Sequence, residues 1–172
     1  MSSRGTPPPS CYQKALDLLA VRAHFRRQLA TKLSRRGYPD AEVEATLDTL
    51  RARGLIDDQA TASSFVAERM RGGALGRRRL AADLLRRGAE EEVIEAALAE
   101  MPEDDTGPAS ALAARWLARS SRTQGPSRDA ALARHLERRG FSSRAIVAVL
   151  ERLREGSAGS DPVVEESLAP ER

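Results

Sequence analysis

Three glycines, Gly37, Gly88 and Gly140, each close a Leu-x-Arg-Arg-Gly run, and they stand 51 and then 52 residues apart. The flanks repeat as well. Four residues before each glycine stand Leu33, Leu84 and Leu136, and eight before stand Leu29, Leu80 and Leu132. Six residues after come Val43, Ile94 and Ile146; ten after, Leu47, Leu98 and Leu150; thirteen after, Leu50, Met101 and Leu153. Spacings of four, then of four and three, place these side chains on one stripe of each of two α-helices. The glycine falls where a helix needs a residue of positive φ to stop, and paired arginines in the last turn suit the negative helix end. The period exceeds that of the common two-helix repeats, so each unit should hold three helices.

The predicted fold is therefore all-α, with three tandem three-helix, helix-turn-helix-like repeats. Aromatics make up only 3% of the 172 residues, which favours small aliphatic helix cores over a sheet. Helices are expected near 12–24, 26–36 and 40–52, near 58–71, 77–87 and 90–100, and near 108–121, 127–139 and 143–154. The corresponding divisions are repeat one at 12–54, repeat two at 55–101, and a linker with repeat three at 102–155. Residues 1–11 and 156–172, rich in Pro, Ser and Gly or in acids, read as disordered tails. Asp57–Asp58 offers an N-cap and an acidic first turn to the helix that follows.

Cys11 stands alone and can form no internal disulfide, as expected of a reducing compartment; it reads as an incidental residue beside a loose tail. No stretch approaches a membrane span, and the opening MSSRGTPPPS lacks the apolar core of a signal peptide. The expectation is a soluble cytoplasmic protein.

Charge is distributed by helix. The chain carries 28 basic and 25 acidic residues, net +3, and Lys14 and Lys32 are its only lysines. The second helices are basic: Arg26, Arg27, Lys32, Arg35 and Arg36 in repeat one, and Arg77, Arg78, Arg79, Arg86 and Arg87 in repeat two. The third helices of these repeats are acidic, with Asp40, Glu42, Glu44 and Asp48, and then Glu90, Glu91, Glu92, Glu95 and Glu100. Arginines at helix ends and acids at helix starts each gain roughly 0.3–1 kcal/mol against the dipole, which accounts for Arg35, Arg36, Arg86, Arg87, Arg138 and Arg139. It does not account for Arg26, Arg27, Arg77, Arg78 and Arg79, crowded at helix starts, where an anionic partner would give them a purpose. Arg134 and Arg144 join Arg138 and Arg139 as candidates in repeat three.

Catalytic constellations are missing from the sequence. His24 and His135 each stand alone, expected on separate helices, so a metal has no ligand set. There is no phosphate loop, nucleophile elbow or CxxC. The reading is a binding protein without cofactor, not an enzyme.

ALDLLAVRAHFRRQLATKLSRRGY at 15–38, VEATLDTLRARGLIDDQATASSFVAER at 43–69 and GRRRLAADLLRRGAEEEVIEAAL at 76–98 together resemble the RecX family, bacterial regulators that bind and restrain the recombinase RecA. Phe25 departs from that pattern, because the family usually has a serine there that caps the second helix in an S-x-x-E box. Gln28 replaces the glutamate of the box, and Thr61 an aromatic after the Asp-Asp pair. The resemblance implies an elongated, curved array. It further implies a monomer that enters the groove of the RecA–single-stranded DNA filament and inhibits filament growth, ATP hydrolysis and strand exchange, in DNA repair, recombination and the SOS response. Weak non-specific DNA binding through the basic helices is compatible with it. A second reading is a direct helix-turn-helix DNA binder; the acidic helices after the short turns argue against it, since phosphate contacts dominate affinity. A generic helical scaffold for another protein is a third.

Overall fold

The three Leu-x-Arg-Arg-Gly runs end three equivalent helices in the computed structural model, which describes residues 9–71, 75–119 and 126–158. Nine helices and no strands lie among the described residues. Repeat one contains α1 (Cys11–Val21), α2 (Arg26–Ser34) and α3 (Asp40–Ala52). Repeat two contains α4 (Asp58–Arg71), α5 (Arg77–Arg86) and α6 (Glu91–Ala99), and repeat three α7 (Thr106–Arg119), α8 (Pro126–Arg138) and α9 (Ser143–Ala158). The first two repeats make one compact unit, ending at Glu103; the third makes another, beginning at Asp104.

Each turn after the Arg-Arg pair has its glycine at positive φ: 88° at Gly37, 90° at Gly88 and 81° at Gly140. At Gly88 and Gly140 the glycine and the next residue return two N–H groups to the helix, Ala89 to the Leu84 carbonyl and Phe141 to that of Leu136. This is a Schellman closure, and the residue beyond the glycine is buried beneath it. Leu29, Leu33, Leu80, Leu84, Leu132 and Leu136 are all wholly buried, as the stripe requires. Burying each contributes about 1.5–3 kcal/mol. The stripe thins at its far end in repeat three, where Leu150 and Leu153 are half-buried and Val149 takes the interior place.

In repeat one, α1 packs on α2 and α3, and α2 on α3. Its core holds Cys11, Ala15, Leu29, Leu33, Val43, Leu47, Leu50 and, from the linker, Ile56. In repeat two, α6 packs on both α4 and α5. The second core includes Phe65, Leu80, Leu84, Ile94 and Leu98, and also Phe25, from the start of α2 in repeat one. Ile56 thus reaches back while Phe25 reaches forward. Two crossing side chains tie the first two repeats together.

Some boundaries differ from the expectation. Cys11 opens α1 and is wholly buried, its N–H donating to Glu42 Oε1 at 3.3 Å, so it belongs to the core and not to a tail. α1 ends at Val21 rather than near 24, because Arg22 is extended (φ −170°) and turns His24 and Phe25 inward. His24 therefore lies off a helix. α7 starts at Thr106, two residues early, with Pro108 in its first turn, where a missing N–H is harmless. α9 runs on to Ala158, so residues 156–158 are helical where a tail was expected. The tail expectations for 1–8 and 159–172 lie outside the described residues, as do glycine-bearing breaks at 72–74 and 120–125.

Candidate interface for an anionic partner

The arginines at the starts of α2 and α5 are the residues for which helix-end electrostatics gave no reason. The structure supplies one for three of the five. Arg26 reaches α3, with its Nη2 2.5 Å from Glu44 Oε2 and its Nη1 3.0 Å from Asp48 Oδ1. Arg77 donates from Nη1 to the Met101 carbonyl at 3.0 Å, closing the end of repeat two. Arg79 pairs with Asp83 at 3.2 Å. These three hold the fold, which corrects the expectation that only a partner explains them. Arg27 and Arg78 remain, both exposed and without an ion pair among the described residues. Arg27 lays its stem against Gly88, where a Cβ would sit 3.2 Å from Arg27 Cβ.

Other candidates are also in use. Lys32 Nζ donates to His24 Nε2 at 2.7 Å, and His24 Nδ1 donates to the Arg22 carbonyl at 2.9 Å. This arrangement needs a neutral imidazole. Burial first, then the positive Lys32 and Arg22, hold the His24 pKa below its ordinary value, against the Arg22 carbonyl bond, which raises it. Arg36 caps α2 by donating to the Lys32 carbonyl at 2.7 Å. Arg86 pairs with Asp83. Arg87 lies over the Phe65 ring, 4.5 Å from its centroid. Arg35, the C-cap of α2, is exposed.

In the second unit Arg134, Arg138 and Arg144 are exposed and Arg139 is half-buried. Arg144 lies near Asp104, whose carboxyl is held below the usual range by hydrogen bonds from Thr106 first, with Arg144 and Arg152 contributing after them. On α8, burial lowers the His135 pKa first, then Arg139 and Arg138 beside it.

Asp83 anchors the basic face of α5. It is nearly buried, and burial alone would raise its pKa; the hydrogen bonds from Arg86 and Arg79 outweigh that and hold it below the usual carboxylate range. The Asp57–Asp58 pair divides its work in a way the sequence did not reveal. Asp57 caps α4 as expected, accepting the Ala60 N–H at 2.8 Å. Asp58 instead accepts the Arg26 N–H at 2.8 Å, capping α2 of the preceding repeat. Phe25, the residue at the N-cap of α2, makes no side-chain cap bond.

Arg22 and Arg69 were not among the residues expected from the sequence to meet a partner. Neither belongs to a basic second helix. The fold brings them beside Arg87, Gln28 and Phe65 around a cleft of about 490 Å³ between the first two repeats. No periodicity marks such a meeting; only the packing of one repeat on the next creates it.

Among the described residues no group of three or more His, Cys, Asp or Glu could hold a metal, and no helix is long and apolar enough to cross a membrane. Comparison with known proteins agrees with the repeat geometry. A family profile described as RecX, first three-helix domain, matches residues 11–50, and one for the second three-helix domain matches 57–98. The regulatory protein RecX of Mycolicibacterium smegmatis is 38% identical over 132 residues, covering 74% of this chain and 70% of that one. The chain belongs to the RecX family. The regulatory protein RecX of Mycobacterium ulcerans is 35% identical over 147 residues, covering 79% of this chain and 85% of its own. A shorter match, to the Chlorobium limicola RecX, is 42% identical over 86 residues and spans about half of that relative (54%). Among solved structures, RecX from Lactobacillus salivarius has a similar fold (TM-score 0.74, 21% identity, 84% of this chain and 95% of that one). A second RecX crystal structure gives a TM-score of 0.73 at 27% identity, over 82% of this chain and 70% of the other. The family profiles cover the two repeats that form the first compact unit.

Proposed function

We propose that this chain is a non-enzymatic regulator of homologous recombination that binds the RecA–single-stranded DNA filament in the cytoplasm. There it hinders filament growth, ATP hydrolysis and strand exchange. Membership of a family of regulatory proteins named RecX supports the reading, and one observation carries it to particular residues. After the internal partners of the basic helices are assigned, Arg27 and Arg78 at the helix starts and Arg35 at a helix end stay exposed and unpaired among the described residues. They are available to phosphate or carboxylate. Glu91, Glu92, Glu95 and Glu100 of repeat two are exposed as well, suited to basic protein surface. A partner that presents phosphates and protein together satisfies both signs.

Direct reading of duplex DNA is the weaker alternative. In repeats one and two the helix after the short turn is acidic, and a major-groove helix must approach phosphates closely. Weak non-specific DNA binding through the second helices is compatible with either reading. The distinguishing experiment titrates the protein into RecA on single-stranded DNA and follows ATP hydrolysis. Inhibition well below stoichiometric amounts is expected. Equal affinity for duplex DNA with RecA hydrolysis untouched would assign the chain to direct DNA binding.

A further inference from the structure

The cleft between the first two repeats is lined by three guanidinium groups, those of Arg22, Arg69 and Arg87, against one carboxylate, Glu68. Arg69 and Arg87 are held in place by one ring: their guanidinium carbons lie 5.1 and 4.5 Å from the centroid of Phe65. Cation–π contact of this kind fixes two charges that would otherwise move apart. Arg87 bears the strain of the crowding, since burial first, then Arg22 and Arg69, lower its pKa, with only Asp83 and Glu68 opposing. Asp83 is already committed to Arg79 and Arg86. Gln28 also lines the cleft, and its Oε1 is buried without a hydrogen-bond donor. That oxygen is sealed from the cleft, and the guanidinium groups are what an entering anion would meet; a phosphate group suits them.

We propose that this cleft is a nucleotide-phosphate site, in which Arg22, Arg69 and Arg87 grip the phosphate. The ligand is either a free nucleotide or one nucleotide of a single strand. The site goes beyond the filament reading and stands apart from it: a chain that holds nucleotide here but leaves RecA unaffected keeps the site and loses the function.

The test uses the full chain, a short fluorescein-labelled thymidine oligonucleotide and ADP. Arg22→Ala and Arg69→Gln change exposed side chains, and Arg115→Ala, on α7, is the charge-matched control. Each of the first two is expected to weaken oligonucleotide binding about tenfold at low salt. Each should also lower the salt slope by about 0.7, the value for one lost single-strand phosphate contact. Melting temperature should be unchanged. Displacement of the oligonucleotide by ADP assigns the site to free nucleotide; retention of the oligonucleotide in excess ADP assigns it to the strand. Affinities and salt slopes for Arg22→Ala and Arg69→Gln equal to those of Arg115→Ala would overturn the proposal.

Discussion

Phe25 stands at the N-cap of α2 and makes no side-chain cap bond, and the structure explains how the helix does without one. Asp58 supplies the cap from the next repeat, and Phe25 is freed to fill that repeat's core, where it is 2% exposed. Replacing Phe25 by Ser should therefore not restore a better helix. The lost ring costs about 3–5 kcal/mol and the regained cap returns about 1, so a net loss of about 2–4 kcal/mol is expected in urea unfolding. A neutral or stabilised variant would contradict the role assigned to Phe25. Asp83 makes a second prediction at this scale. Its folded pKa lies below the unfolded 3.8, so its stabilisation is complete above that value and is lost as pH falls through the folded one. Asp83→Asn should lower stability by roughly 1.5–3 kcal/mol at neutral pH, with the difference from the parent shrinking in strong acid. Asp58 has the opposite sign: burial first raises its pKa, so its ionised form is less favoured in the folded chain than in the unfolded one.

The helices themselves were legible in the sequence wherever one helix decided its own fate. The leucine stripe gave the buried face of α2, α5 and α8, and the Arg-Arg-Gly ending gave the positive φ of all three glycines. Legibility failed where a second element decided. α1 stops at Val21 because His24 and Phe25 must turn toward buried partners, and no periodicity records a partner. Asp58 sits in a good cap pair for its own helix yet serves α2. The two repeat glycines of the first unit separate local from non-local demands. Gly37→Ala meets open space and should cost only the strain of positive φ, about 1–2 kcal/mol. Gly88→Ala has the same backbone strain and also presses on Arg27 from the neighbouring repeat, 3.2 Å away, so it should cost more. Equal losses in the two variants would mean that the Arg27 contact carries nothing. The α5 arginines divide similarly. Arg78→Ala should weaken partner binding with melting temperature unchanged, whereas removing Arg77, Arg78 and Arg79 together should also destabilise, since Arg77 and Arg79 have internal partners. An unaltered melting temperature in the triple variant would contradict those assignments.

For the molecule as a whole, the sum of charge, +3, says little, and its arrangement says more. The acidic α3 of repeat one spends Glu44 and Asp48 on Arg26 and Glu42 on Cys11, so part of the polarity visible in the sequence is internal bookkeeping of charge. What remains outward is the arginine surplus of the second helices and the glutamates of α6. The cleft of Arg22, Arg69 and Arg87 was illegible for the same reason as the Asp58 cap: its members are 47 and 18 residues apart along the chain and meet only through repeat packing. In the function proposed for the chain, the unpaired arginines of the basic helices serve control of a RecA filament. ATP hydrolysis by RecA on single-stranded DNA, followed with the parent chain and with an Arg27→Ala, Arg78→Ala double variant of equal melting temperature, tests it most directly. Inhibition by the parent is expected well below stoichiometric amounts, with a shift of about tenfold or more to higher concentration for the variant. Equal inhibition by both, or none by the parent, would contradict it.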